Sequence, residues 1–271
     1  MDSRKCAVSG SFYPSNAEKL KSVIFQFFSN AKLQKKTRTS VIVAPHAGYE
    51  YSGKTAAYAY SVLDSAETFV ILCPNHTGLG AAISISSNSQ WETPLGNLQV
   101  DEKFANMLAS ALAIERDDLA HLQEHAVEVQ LPFVIYKFGR NAKIVPICLA
   151  IGDFDSLMKV GQAISEIEKK LKTRICVIAS SDFSHFIPLE SAKEKDFEAI
   201  GKIKELDAEA FYKLIHSKNL SICGYMAIIA AIAYANEKGM KRAELLHYST
   251  SALATGDKSS VVGYAAIALY R

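Results

Sequence analysis

The chain has 271 residues, 49% hydrophobic and 21% charged, with a formal net charge of +2. That length suits one large α/β domain or two modest ones, and the composition is that of a globular protein. A near-neutral chain with dispersed basic residues lacks the electrostatic footprint of a nucleic-acid binder.

Residues 7–14 (AVSGSFYP) lead into Ser15-Asn16, a helix N-cap. Leu20, Val23, Ile24, Phe27 and Phe28 then form an amphipathic stripe that predicts a helix over 16–30. The basic run 32–38 (KLQKKTR) reads as a solvated helix end and loop. Residues 41–44 (VIVA) predict a buried strand ended by Pro45-His46, with a helix over 55–63. A second apolar strand at 68–73 ends in Pro74-Asn75-His76. Residues 82–86 alternate like a strand, 91–100 (WETPLGNLQV) read as a turn or hairpin over the sheet, and 101–113 as a helix. A short helical piece over 124–131 is expected to stop at Pro132. Strand 143–149, helix 154–171 and a third apolar strand at 174–180 follow, the last running into Ser-Asp-Phe-Ser-His at 181–185.

Residues 189–216 predict two helices, the second capped by Asp207. Cys223-Gly224 precedes an apolar helix over 225–237, and strands at 243–249 and 260–269 close the chain. No linker divides it. The prediction is one domain over 1–271, α/β, with helices on both faces of a mixed central sheet.

Five cysteines, an odd count without a CxxC pair, exclude a disulfide framework and fit a reducing cytoplasm. The N-terminal MDSRKCAVSGSFYP lacks the apolar stretch of a signal peptide, and no run approaches the roughly 20 apolar residues of a membrane span. The expectation is therefore a cytoplasmic protein that engages neither membrane nor nucleic acid.

Two local patterns suggest chemistry and fail on inspection. GYEYSGKT at 48–55 satisfies the G-x-x-x-x-G-K-[ST] pattern of a phosphate-binding loop. Its interior holds Tyr49, Glu50 and Tyr51, where a phosphate cradle needs small residues and no negative charge. HLQEH at 121–125 fits a zinc-protease pattern, yet His121 follows a stretch that reads as loop, so a shared helical face is doubtful.

A repeated template carries more weight. Three apolar strands each end in a Pro or Ser break followed by a histidine: His46, His76 and His185, spaced 30 and 109 residues apart. Ligands in open α/β sheets bind beyond the carboxyl ends of strands, so the three can converge at one edge. Neutral imidazoles of His46 and His76 suit a divalent cation. Asp182 is close enough in sequence to orient or charge the ring of His185, and His125 with Glu128 lies in a segment able to line a pocket. Cys223, just before a helix, offers a third donor. Two histidines, a thiolate and an open position suit iron, copper or zinc rather than magnesium or calcium. Tyr13, Tyr49, Tyr51 and Trp91 are candidate aromatic walls for a small molecule or peptide.

Taken together, AVSGSFYP, PHAGYEYSG at 45–53, PNHTG at 74–78, WETPLG at 91–96, EHAVEVQLPF at 124–133, SSDFSH at 180–185, CGYM at 223–226 and YSTS at 248–251 resemble the Memo family in order. In bacteria and archaea this is component B of the AmmeMemoRadiSam set, found alongside AMMECR-type and radical SAM proteins. The resemblance implies a fold similar to class III extradiol dioxygenases, which are non-haem iron enzymes. Carried over, it implies a metal pocket of His46, His76 and Cys223 holding iron or copper, with zinc ranked behind. It places His185 as the acid/base histidine, with Asp182 and His125 nearby. Those dioxygenases complete their triad with Glu; here Cys223 stands instead. Two roles follow as expectations: a metal-dependent oxidoreductase, or a non-catalytic module using the same pocket to bind a peptide, a metal or a partner.

Overall fold

A computed structural model describes residues 3–31, 37–150 and 153–271. Of the basic run at 32–38, residues 32–36 lie outside these described residues. The first half contains β1 (Ser3–Arg4), α1 (Ala17–Asn30), β2 (Val41–Ala44), α2 (Tyr49–Val62), β3 (Thr68–Pro74), β4 (Ile83–Ile85), β5 (Gln90–Trp91) and β6 (Leu98–Val100). Then come α3 (Glu102–Leu112), a 3-10 turn at Glu128–Gln130, α4 (Leu131–Phe138), β7 (Lys143–Leu149) and α5 (Phe154–Leu171). The last third comprises β8 (Ile175–Ser180), β9 (His185–Ile187), α6 (Leu189–Lys204), α7 (Ala208–Lys218), α8 (Tyr225–Glu237), β10 (Arg242–Thr250), α9 (Ala252–Thr255) and β11 (Val261–Tyr270).

The strands join in the order β1-β5-β6-β7-β3-β8-β2-β11-β10, with β4 added to β7 and β9 to β11. At its centre β7, β3, β8 and β2 run parallel, while β11 and β10 are antiparallel, so the sheet is mixed as predicted. Every residue of β2, β3 and β8 is buried, which requires cover on both faces. α2, with α1 against it, packs on β2, β10 and β11; α8, with α5 against it, packs on β2, β3 and β8. Gly161 sets the α5–α8 approach: a Cβ there would lie 2.2 Å from the Ala230 carbonyl oxygen.

Where local sequence reading was sound, caps and periodicity agree. Asn16 caps α1 by accepting from the Lys19 N–H, and Leu20 and Ile24 are buried beneath it. Asp207 caps α7 by accepting from Ala210 N–H. The 91–96 segment turns β5 into antiparallel β6. Two starts differ. α2 begins at Tyr49, not at residue 55, so Gly53, Lys54 and Thr55 are interior helix residues and no phosphate loop exists there. Gly53 serves packing instead: a Cβ would meet the Phe27 ring at 2.3 Å. Pro132 sits in the first turn of α4, where its missing N–H has no intrahelical partner to lose, so it opens a helix instead of ending one. The 121–125 stretch is irregular, not helical, which removes the shared face the protease pattern needs. No helix among the described residues is long and apolar enough to cross a membrane.

Candidate metal centre

Because β3, β8 and β2 are adjacent and parallel, their carboxyl ends share one edge. Each chain breaks from the sheet there: His46 lies two residues past β2, His76 two past β3, and Asp182 two past β8. Cys223 arrives from the other side, on the turn into α8. Its neighbour Gly224 lies so close to β8 that a Cβ would sit 2.4 Å from the Ser180 carbonyl oxygen and 2.5 Å from Ser181 Cβ. The Gly224 N–H donates to Ser181 Oγ at 3.1 Å, which fixes the thiol over the strand end.

One donor atom from each of His46, His76 and Cys223 lies within 4.8 Å of the other two. Cys223 Sγ is 3.2 Å from His46 Nε2, and the His46 and His76 rings meet edge to face at 5.2 Å between centroids. Donors at about 2.0–2.3 Å from a common ion sit roughly 3.3–3.8 Å apart in tetrahedral geometry, so small side-chain adjustments suffice. Imidazole and thiolate donors suit a transition metal, and the residues present fit one.

Burial and the neighbouring charges set the protonation of these donors. Burial, reinforced by the charge His76 would carry, lowers the His46 pKa to about 3. Burial, with Asp182 adding to it, raises the Cys223 thiol well above its ordinary value. For His76 burial pulls downward, but the hydrogen bond and charge of Glu124 prevail and the value is raised. Glu124 itself is brought down to about 2, desolvation being outweighed by its bonds to His76. A thiol held protonated beside neutral imidazole is a ligand set that gives up a proton when metal binds.

His125 completes a histidine cluster. Its ring stacks on His76 at 4.7 Å and 14°, lies 5.4 Å from His46, and is backed by Phe12 at 4.7 Å. Burial, with His46 adding to it, lowers its pKa to about 4. Asp182 Oδ1 accepts the His46 backbone N–H at 2.8 Å, so this carboxylate shapes the loop carrying the candidate ligand. The Asp182–His185 pairing anticipated from sequence takes another form. The ring bond of His185 goes to the Ser221 carbonyl oxygen at 2.8 Å; burial raises the Asp182 carboxyl, and the charge of His185 is among the influences that oppose that rise.

Three of the four expected aromatic walls are core residues, because each closes a buried polar bond or fills the interior. Tyr13 is 3% exposed and donates to Glu128 Oε1 at 2.5 Å. Tyr49, equally buried, donates to the Val129 carbonyl at 2.9 Å. Trp91 is fully buried under the Arg4 guanidinium, its ring edge to face with His121. Tyr51 is exposed and lines a cavity of about 230 Å³ with Glu50 and Lys54, a cavity with no histidine among its lining residues. His121, the other half of the protease pattern, is a core histidine with Nε2 against the Ser84 carbonyl.

Several site residues carried no sequence signal of their role. Glu124 is fully buried and binds His76 twice, at its backbone N–H (2.6 Å) and its ring Nδ1 (2.9 Å). Ser180 Oγ meets His46 Nδ1 at 2.9 Å, and Gln130 Nε2 reaches Ser180 Oγ at 2.8 Å. Glu128 accepts from Arg4, from the Ala7 and Val8 N–H groups and from Tyr13, tying the N-terminal segment to the turn that bears Glu124 and His125. Only chain reversal in three dimensions brings these groups together; the EH pair at 124–125 was the one available hint.

An α/β protein with two histidines and a cysteine gathered at the carboxyl edge of its parallel strands is the class these features define. The family is shown by comparison: the "Memo-like protein" model matches residues 4–268, and the chain belongs to that family. It is 41% identical over 267 residues to a MEMO1 family protein of Methanosarcina acetivorans, covering 98% of this chain and 99% of that protein. A MEMO1 family protein of Archaeoglobus fulgidus is 42% identical over 262 residues, covering 96% and 97%. One from Desulfurococcus amylolyticus is 41% identical over 283 residues and covers both chains fully.

Proposed function

We propose that this Memo-like chain holds one redox metal, iron or copper, through His46, His76 and Cys223, and acts as a metal-dependent oxidoreductase. The observation that carries the reading is the mutual approach of the three donor atoms, all within 4.8 Å, at the edge where the parallel strands end. Zinc accepts the same donors but supplies no redox chemistry, and ranks behind for that reason. When bound, such a metal supplies electron transfer and open positions for O2 or a small-molecule substrate.

The rest falls to the chain. His46, 1% exposed, sits where solvent is excluded, and Asp182 fixes its backbone. His125 and His185, both partly exposed, would take or give protons through their imidazole nitrogens. Cys223 in the place of a carboxylate softens the donor set, which favours copper or an electron-rich iron over ring-cleaving chemistry. AMMECR-type and radical SAM proteins belong to this proposal as partners on the strength of the resemblance alone. Burial of Tyr13, Tyr49 and Trp91 favours this reading over a peptide-binding module walled by those rings.

Elemental analysis of anaerobically purified protein tests the reading. Near-stoichiometric iron or copper is expected, with metal and metal-dependent O2 consumption both lost in a folded His46→Ala variant. A metal-free parent that takes up neither Fe(II) nor Cu(I) would sink it.

A further inference from the structure

The hydrogen-bond inventory around the two histidines leaves little freedom. The Gln130 side chain reaches the Pro45 carbonyl at 3.0 Å and Ser180 Oγ at 2.8 Å through its Nε2, while its Oε1 accepts from the Tyr60 hydroxyl at 2.9 Å. A carbonyl can only accept, so the amide orientation is fixed and Gln130 donates to Ser180. The Ser180 hydroxyl has one proton, and the Ala126 carbonyl at 2.8 Å claims it. The remaining Ser180 contact, 2.9 Å to His46 Nδ1, is then one in which the ring donates. His46 therefore carries its proton on Nδ1 and its lone pair on Nε2, the atom 3.2 Å from Cys223 Sγ.

His76 reaches the same state by another route. Glu124, fully buried, accepts the His76 backbone N–H at 2.6 Å, the ring Nδ1 at 2.9 Å and the Ala126 N–H at 2.8 Å. An ionised carboxylate only accepts, so Nδ1 donates and Nε2 is left bare. His76, Glu124 and His125 also bring donor atoms within 4.8 Å of one another. Three N–H groups, two of them from His76, already bind Glu124, which suits it to orienting that ring.

Resting on the metal-centre reading above, we infer that Glu124 and Ser180 are positioning residues that lock His76 and His46 in the Nδ1–H tautomer, leaving both Nε2 lone pairs as ligands. Neither residue is one of the three proposed ligands. Each acts through the far nitrogen of a ligand ring, and outer-shell partners of this kind carry about 10–100-fold in metal affinity. Glu124→Gln breaks the arrangement specifically. A glutamine has one accepting oxygen for three N–H groups, and its amide NH2 must donate, with His76 Nδ1 as the acceptor in reach. The His76 proton then moves to Nε2, the ligand atom.

Nitrogen-15 NMR of the metal-free protein, at a pH above the ordinary histidine range, reads the tautomers directly. The Nδ1–H form is expected for both His46 and His76 in the parent. Glu124→Gln is expected to move His76 alone to Nε2–H, and Ser180→Ala to release His46 alone. Titration with Co(II), followed by thiolate-to-metal absorption, is expected to weaken about 10–100-fold in each variant. An Nε2–H form of either histidine in the parent overturns the assignment, as does unchanged Co(II) affinity in both folded variants. If the parent binds no Co(II), the metal reading fails while the spectrum still decides the tautomers. If Glu124→Gln does not fold, the parent spectrum and Ser180→Ala carry the test.

Discussion

His46 and His247 each bond a side-chain hydroxyl through the ring, and they stand in different company. His46 lies at the end of a parallel strand, almost wholly buried, with Nδ1 on Ser180 and Nε2 facing the Cys223 thiol. His247 lies on the edge strand β10, half-buried, stacked on Tyr58 at 4.3 Å, with Nδ1 3.0 Å from Thr55 Oγ1. It borders a cavity of about 380 Å³ that contains no thiol or carboxylate among its lining residues. A hydroxyl partner orients a ring in both places. What separates a candidate ligand from a surface histidine is the second donor facing its free nitrogen, and the parallel-strand edge supplies one where the antiparallel edge does not.

The largest effect that sharpens this contrast is loss of metal. His46→Ala is expected to lower metal affinity by more than about 100-fold, whereas His247→Ala leaves metal content unchanged; equal losses in the two would erase the distinction. Next comes Gly224→Ala. Its Cβ would press on the Ser180 carbonyl and on Ser181, so a destabilisation of about 1–3 kcal/mol in urea titration is expected, with Cys223 displaced and metal binding weakened.

Acid comes third. The folded pKa of His46 is lowered to about 3, and those of His121 and His125 to about 4. The unfolded chain then binds more protons than the folded one below the ordinary histidine range, and stability falls as pH drops from there toward these values. The slope is up to about 1.4 kcal/mol per pH unit for each group. His76, raised by Glu124, works the other way, and Glu124→Gln should steepen the loss. Stability of the metal-free protein that is flat from neutrality to pH of about 4 would contradict the buried-neutral reading of these rings. The smallest effect is Lys54→Ala: as an exposed residue inside α2 it should change stability by less than about 0.5 kcal/mol. Mg-ATP should shift the thermal midpoint of neither the parent nor this variant.

Much of this architecture was legible in the sequence because its signals are local. β2, β3 and β8 are short apolar runs closed by Pro or Ser, and the Asn16 and Asp207 caps sit beside clear stripes. Convergence of His46 and His76 followed from one rule about parallel sheets. Non-local reasons explain what was missed. Trp91 and Tyr13 look like pocket aromatics until Arg4 and Glu128 are brought over and beside them from more than 80 positions away. Tyr49 to Thr55 resembles a loop because nothing local reports that Gly53 makes room for Phe27. Glu124 is marked locally only by the EH pair it forms with His125, and Gln130 not at all, since their partners come from two different strand ends.

X-ray absorption on the Fe(II)- or Cu(I)-loaded parent, beside a loaded Cys223→Ser variant, tests the central claim most directly. The account predicts one sulfur scatterer at about 2.3 Å and imidazole nitrogens at about 2.0–2.1 Å, the sulfur disappearing in the variant. A metal bound with only nitrogen and oxygen neighbours in the parent, or a sulfur shell that survives Cys223→Ser, would contradict it.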